Sequence, residues 1–190
     1  SDIGVATQRP FIIPRKTLTL FNALLQSENQ PVKIAFDDLY IYFQLPNFSM
    51  ISRLIDERYP DYENVIPAHN PSKLTINRLD LINSLRRIAI YANKTTYQVK
   101  LGLSGSTLQV FSEDFEFSNE ASEQLPCEYE GEPIEIGFNA KFLIEVLSNV
   151  PSDEVEMRFS DSTKPCLIFP KEKEVGEVML LLIMPIFVKE

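Results

Sequence analysis

The sequence predicts an α+β fold built from repeated βαβββ units, with helices on one face of antiparallel sheet. The main observation is a repeat. A strand, a helix and then several extended segments recur three times along the 190 residues, each copy running over roughly 50 to 60 positions. The strands alternate apolar and polar side chains, as expected where sheet buries one face and wets the other. Helices confined to one side of such sheet make the α+β class.

The first copy opens with Phe11-Ile12-Ile13 and continues into a helix from Arg15 to Gln26. Pro14 suits its first turn, where a missing N–H costs nothing. Extended segments follow at Val32 to Phe36, Leu39 to Leu45 and Ser49 to Ile55, with Asp37-Asp38 as the first turn. The second copy reads Lys73 to Ile76, a helix from Asn77 to Ala92, then Tyr97 to Leu103, Thr107 to Ser112 and Phe115 to Ser118. A further strand is expected near Pro126 to Tyr129, and Ser104-Gly105-Ser106 is a hairpin turn with the glycine such a loop needs. The third copy runs Ile134 to Ile136, a helix from Asn139 to Asn149, then Val155 to Phe159, Cys166 to Phe169 and Val178 to Ile186. Ser160-Asp161-Ser162 turns its first hairpin. Asn77 and Asn139 are N-caps, since an Asn oxygen accepts from the free N–H groups of a first turn.

Between copies one and two, Arg58 to Pro71 carries Pro60, Pro67 and Pro71 and no helical period. Each proline fixes its own φ and restricts its predecessor, which makes an extended, stiff linker. Copies two and three have no such break and form one domain; copy one reads as half of another.

At 100° per residue each helix separates two faces. The apolar sets are Leu18, Phe21, Leu24 and Leu25; then Leu81, Ile82, Leu85, Ile88 and Ala89; then Leu143, Val146, Leu147 and Val150. Lys16, Arg87 and Lys141 point away from them, with Arg86 at the flank of the second helix. The chain as a whole is acidic, with 27 acids against 18 bases and a net charge of -9. The helices nevertheless sum to +4, from +2, +2 and 0 in turn, so the remainder carries -13. An acidic body with basic helix faces suits contact with phosphate on one surface only. Ordinary solvated helix faces carry lysine and arginine as well, so the charge pattern leaves both readings open.

Composition excludes several classes. With 44% apolar and 24% charged residues the chain is neither disordered, collagenous nor a disulfide scaffold. Cys127, Cys166 and His69 do not supply the ligands of a zinc site. The two cysteines are expected as free buried thiols in a reducing cytosol, with a disulfide as the alternative. The first residues have neither the charged nor the apolar region of a secretory signal. The longest apolar run, Val178 to Val188, is broken by Pro185 and falls short of a membrane span, which needs about 20 residues. A soluble cytoplasmic protein is expected. No P-loop, dinucleotide fingerprint or nucleophile elbow is present, and His69 lies in the proline-rich linker. Glu113, Asp114 and Glu116 could hold a hard cation, but Asp114 and Glu116 alternate with Phe115 and Phe117 and read as the wet face of a strand. No enzyme, cofactor or metal is expected.

Five blocks resemble the bacterial DNA polymerase III beta subunit, the sliding clamp. They are Phe11 to Lys16, Ser52 to Tyr62 (SRLIDERYPDY), Val65-Ile66-Pro67, Ile134 to Asn139 (IEIGFN) and Leu182 to Ile186. Their order and spacing agree across essentially the whole chain. The resemblance implies the DNA clamp fold, in which each domain is a pair of βαβββ units and two three-domain protomers close head to tail around duplex DNA. It assigns residues 1–60 to the second half-unit of the middle clamp domain and 61–190 to a complete C-terminal clamp domain.

The resemblance also implies sites. A groove that takes short linear peptides from the replicative polymerase, clamp loader and repair proteins would use Pro60, Val65, Asn139, Phe142, Thr163, Pro165, Ile183, Met184, Pro185 and Ile186. The plainer reading of Ile183, Met184 and Ile186 is buried strand. Asn64 stands where an arginine often borders this groove. Lys16, Arg87 and Lys141, with Arg15 and Arg86, would face DNA and touch phosphate without reading bases. Ile90 and Tyr91 match the edge that closes the homodimer, and ordinary helix-end packing is their alternative. A second function is compatible with the same residues: a clamp-like interaction module that binds such peptides without encircling DNA.

Overall fold

A computed structural model describes residues 10–26, 31–114, 119–172, 176 and 178–187. The chain divides into two compact units, Ser1–Asp61 and Tyr62–Glu190.

In the first unit, helix α1 (Arg15–Leu25) covers a three-stranded antiparallel sheet of β1 (Lys33–Phe36), β2 (Tyr40–Gln44) and β3 (Ser49–Arg53). Asp37 shapes the first turn, its Oδ1 accepting from the Leu39 and Tyr40 N–H groups at 2.8 and 2.7 Å. The helix contacts the sheet through a narrower stripe than its apolar periodicity predicts. Thr17 is buried and its hydroxyl bonds that of Ser52 at 2.7 Å, while Phe21 packs on Phe43 with ring centroids 4.2 Å apart. Leu18 and Leu24, expected inward, are exposed. Among the described residues the polar Thr17 takes the centre of the contact and Leu18 and Leu24 fall on its flanks.

The second unit interlocks two βαβββ copies. The first copy is β4 (Ser72–Asn77), α2 (Arg78–Ile88), β5 (Gln98–Ser104), β6 (Thr107–Asp114) and β7 (Asn119–Pro126), followed by a short β8 (Glu128–Glu130). The second is β9 (Ile134–Asn139), α3 (Ala140–Ser148), β10 (Glu154–Phe159), β11 (Cys166–Pro170) and β12 (Leu181–Ile183). One sheet has the order β12-β11-β10-β4-β8 and the other β7-β6-β5-β9. The first strand of each copy therefore sits in the sheet of the other: β4 pairs with β10, and β9 with β5. The reciprocity extends further. After β7 the chain crosses to pair β8 with β4, and after β12 it crosses so that Ile186 bridges Gly137 of β9. The helices lie against each other, α2 on β4, β6 and β7, and α3 on β9 and β12. One apolar core runs through both sheets and both helices, from Leu74 and Leu85 to Phe138, Leu143 and Ile168.

Local chemistry sets these elements. Asn77 caps α2 by accepting from the Asp80 N–H at 3.0 Å. Gly105 turns the β5–β6 hairpin at φ 59°, a left-handed position that suits glycine. Asp161 gathers the Thr163 N–H, the Thr163 hydroxyl and the Lys164 N–H in the β10–β11 turn. Those hydrogen bonds and the Lys164 ammonium hold its carboxyl well below the usual range.

Several expectations need correction. Helix α2 ends at Ile88 and not Ala92, because Ile90 and Tyr91 turn tighter, donating to the carbonyls of Arg87 and Ile88. The Phe115–Ser118 strand lies outside the described residues. The third strand of that copy is β7, whose sequence NEASEQLP hides it, since as an edge strand it turns only Ala121, Glu123 and Leu125 part-way inward. Asp114 is buried and not on a wet face, because strict alternation along β6 puts it in line with Leu108, Val110 and Ser112. The terminal apolar run forms only three residues of strand, and the proline linker contains one turn of 3-10 helix at Glu63–Val65. Both cysteines are free; burial pushes both thiols up, Cys166 most.

Candidate functional site

The start of α3 and the end of β12 build one apolar surface of the second unit. Asn139 positions it. Its Oδ1 accepts from the Lys141 and Phe142 N–H groups at 3.0 and 3.3 Å, and its Nδ2 donates to the Thr96 carbonyl at 2.8 Å. The cap fixes the first turn and leaves Phe142 outside the core, 62% exposed. Helix α3 packs on β12, so the residues just past that strand lie beside it. Ile183 pairs with Cys166 and is buried. The strand ladder stops there. Met184 turns out to solvent, 53% exposed, and Pro185 and Ile186 are half-buried, with the Ile186 N–H donating to Gly137 at 2.8 Å. Pro165 is tied from the other side, its carbonyl accepting from Asn70 Nδ2 at 3.1 Å.

Most residues that the sequence assigned to a peptide groove thus belong to one neighbourhood of the second unit: Asn139, Phe142, Pro165, Ile183, Met184, Pro185 and Ile186. Val65 is exposed on the 3-10 turn and Thr163 on the β10–β11 turn. Pro60 lies in the first unit. Sequence reading left out Asn70, whose two amide hydrogen bonds, to the carbonyls of Arg158 and Pro165, fasten the linker to this region. An asparagine amid prolines carries no pattern that would single it out.

The basic helix residues differ in what holds them. Arg87 is forked onto Glu123 of β7, Nε to Oε1 at 2.7 Å and Nη2 to Oε2 at 2.9 Å. The pair raises the Arg87 pKa and lowers that of Glu123. The Lys141 ammonium sits 3.4 Å from the centroid of the Tyr97 ring and lowers the Tyr97 pKa. Arg15, Lys16 and Arg86 are exposed, and none has an ion pair among the described residues. Arg78, also on α2, donates to the Ser152 carbonyl at 2.6 Å.

Ile90 and Tyr91 form a third feature, in the loop between α2 and β5. They are 65% and 45% exposed, beside a loop held by Lys94 donating to the Ile90 carbonyl at 2.6 Å. No group of three His, Cys, Asp or Glu suited to a metal ion occurs among the described residues. No helix among them is long and apolar enough to cross a membrane.

Comparison with known proteins matches two profiles: the DNA polymerase III beta subunit, C-terminal domain, over residues 63–186, and the central domain of the same subunit over residues 3–61. The chain is similar to the beta sliding clamp of Vibrio cholerae, 31% identical over 179 residues, covering 94% of this chain and 48% of that one. Among solved structures it resembles the DNA polymerase III subunit beta from Pseudomonas aeruginosa, with a TM-score of 0.90, 28% identity, and coverage of 98% of this chain and 50% of that one. It also resembles a sliding clamp from Bartonella birtlesii bound to griselimycin, with a TM-score of 0.88, 32% identity and coverage of 99% and 50%. The chain spans about half the length of the curated relatives it matches.

Proposed function

The chain belongs to the DNA polymerase III beta-subunit family, and we propose that it serves as a processivity factor of DNA replication. In this reading it is a sliding-clamp subunit, non-catalytic and cytoplasmic, that acts as part of a head-to-tail dimer around duplex DNA. It tethers the replicative polymerase, clamp loader and repair proteins through short peptides. Residues 1–60 act as the second half-unit of a middle clamp domain and residues 61–190 as a C-terminal clamp domain.

The observation that carries the tethering role is the pair Phe142 and Met184. Two large apolar side chains stay exposed on adjoining elements whose neighbours Ile183 and Leu143 are buried. Exposed apolar side chains on adjoining elements suit the apolar anchors of an extended peptide. Calorimetry with a clamp-binding peptide from a replicative polymerase tests it. Binding is expected, with Met184→Asp weakening it at least about tenfold, the loss from one desolvated apolar anchor. Affinity that Met184→Asp leaves unchanged removes the assignment.

The Arg87–Glu123 fork favours a second reading, an interaction module that binds such peptides without encircling DNA. That fork occupies a cation the clamp reading would aim at phosphate, on a chain of net charge -9. Retention on closed-circular DNA, lost on linearisation, supports the encircling clamp. Its absence together with intact peptide binding supports the module.

A further inference from the structure

A linker side chain fastens one border of the peptide surface. In the strand order β11-β10-β4, the β10–β4 ladder ends at Phe159–Ser72 and the β10–β11 ladder at Arg158–Leu167. Asn70, two residues before β4, reaches across the end of these strands. Its Nδ2 gives one proton to the Arg158 carbonyl on β10 at 3.0 Å and the other to the Pro165 carbonyl, just before β11, at 3.1 Å. Ala68, His69 and Pro71 are exposed, so Asn70 is the inward side chain of the stretch between Pro67 and Ser72.

The oxygen of the same amide is left unanswered. Asn70 Oδ1 is buried and has no hydrogen-bond partner among the described residues. Turning the amide over would set that oxygen against two carbonyl oxygens, so its two donors fix the orientation. A buried acceptor without a donor is destabilising. The amide is therefore a poor device for stability alone and a good one for holding two carbonyls in place.

Both ends of this tether carry residues of the peptide surface. The β11–β12 ladder ends at Cys166–Ile183, and the next residues outward are Pro165 and Met184. On the linker side, Val65 closes the 3-10 turn Glu63–Val65, five residues before Asn70. We infer that Asn70 is a positioning residue for peptide binding: by pinning the linker to β10 and Pro165, it holds Val65 and the Pro165–Met184 border in one arrangement before a peptide arrives. The inference rests on the peptide-tethering reading above. Preorganisation removes an ordering cost that the ligand would otherwise meet on binding. A surface that is competent only part of the time binds with an affinity reduced by that fraction.

Asn70→Ala removes both donors together with the unanswered oxygen and buries no charge, so the chain should stay folded. Surface plasmon resonance with the same polymerase peptide is expected to show affinity about three- to tenfold weaker, the ordering cost of one or two loosened side chains. The loss should fall mainly on the association rate, because fewer encounters meet a competent surface. Met184→Asp, which removes a contact, should mainly speed dissociation. Hydrogen exchange should quicken in Asn70→Ala at the Val65 and Ile66 N–H groups, which donate to the Tyr62 and Glu63 carbonyls at 3.1 and 3.2 Å. Asn70→Gln keeps the amide and should recover part of the affinity. Asn70→Asp keeps the shape but sets a carboxylate against the same carbonyls, and should bind no better than Asn70→Ala. Peptide binding that Met184→Asp weakens and Asn70→Ala leaves unchanged overturns this inference and leaves the peptide surface standing. So does a lowered unfolding midpoint in Asn70→Ala with unaltered affinity, which marks the side chain as structural only. A chain that binds no peptide, or whose affinity ignores both changes, overturns the inference and the reading it rests on together.

Discussion

Arg87 on α2 and Glu123 on β7 form a two-pronged ion pair, 2.7 and 2.9 Å, that ties the outer face of the helix to the edge of the sheet beneath it. A guanidinium so engaged has its charge largely answered before any phosphate arrives. Glu123→Gln is expected to tighten duplex DNA binding and to steepen its salt dependence by about 0.9 in the log–log slope, one extra neutralised phosphate. Fluorescence anisotropy across a salt series measures both, and an unchanged slope counts against Arg87 as a DNA contact. The pair also has a pH signature. Arg87 lowers the Glu123 pKa, so the stabilisation it lends is present above the ordinary carboxylate range and lost as pH falls through the depressed value.

Asn139 does two jobs with one side chain, capping α3 and holding the Thr96 carbonyl. Asn139→Ala removes the cap and leaves that carbonyl without its amide donor, for an expected loss of about 1–2 kcal/mol in urea unfolding. Because the same cap presents Phe142, peptide affinity should fall with it. Asn139→Asp keeps the oxygen that caps the helix and should restore most of the helix stability.

Burial governs the two cysteines. Cys166 is fully inside and Cys127 half-buried at the crossing from β7 to β8, and burial raises both pKa values. An aromatic disulfide reagent at neutral pH is therefore expected to leave Cys166 unlabelled in the folded chain and to label Cys127 slowly. Both should react at once in denaturant. Fast labelling of Cys166 under native conditions would mean that β11 opens locally.

The repeat, the caps and the hairpin turns were legible because each has a short-range cause: apolar period, an Asn before a helix, a Gly or Asp at a turn. What was hidden depends on distant partners. Strand β7 lacks a clear pattern because it is an edge strand, paired only with β6 among the described residues. Thr17 takes the centre of the α1 contact because Ser52, 35 positions away, supplies its hydrogen bond. The grouping of Asn139, Phe142, Met184 and Ile186 rests on the crossing of the chain from β12 to β9, which no local pattern encodes. The basic helix residues could be named from sequence, but not that Glu123 would hold one and Tyr97 another.

Tyr97 lies at φ 50°, in left-handed territory that is strained for a side chain, and its ring carries the Lys141 ammonium 3.4 Å from its centroid. Its backbone carbonyl also receives the first N–H of α3 from Ala140 at 2.9 Å, and its own N–H donates to the Asn93 carbonyl at 2.8 Å. These bonds hold the strained conformation in place, and they survive any substitution of the side chain. Tyr97→Ala and Tyr97→Gly lose the same ring contact, but only glycine is at ease with positive φ. Alanine should therefore be the less stable of the two by about 1 kcal/mol in chemical denaturation. Both changes release Lys141 from the ring, a contact of about 0.5–1 kcal/mol at an exposed site, so both should raise duplex DNA affinity if Lys141 faces phosphate. The double variant with Lys141→Met removes that gain if Lys141 is its source; a gain that persists without the lysine would show that the loop, and not this cation, answers to DNA.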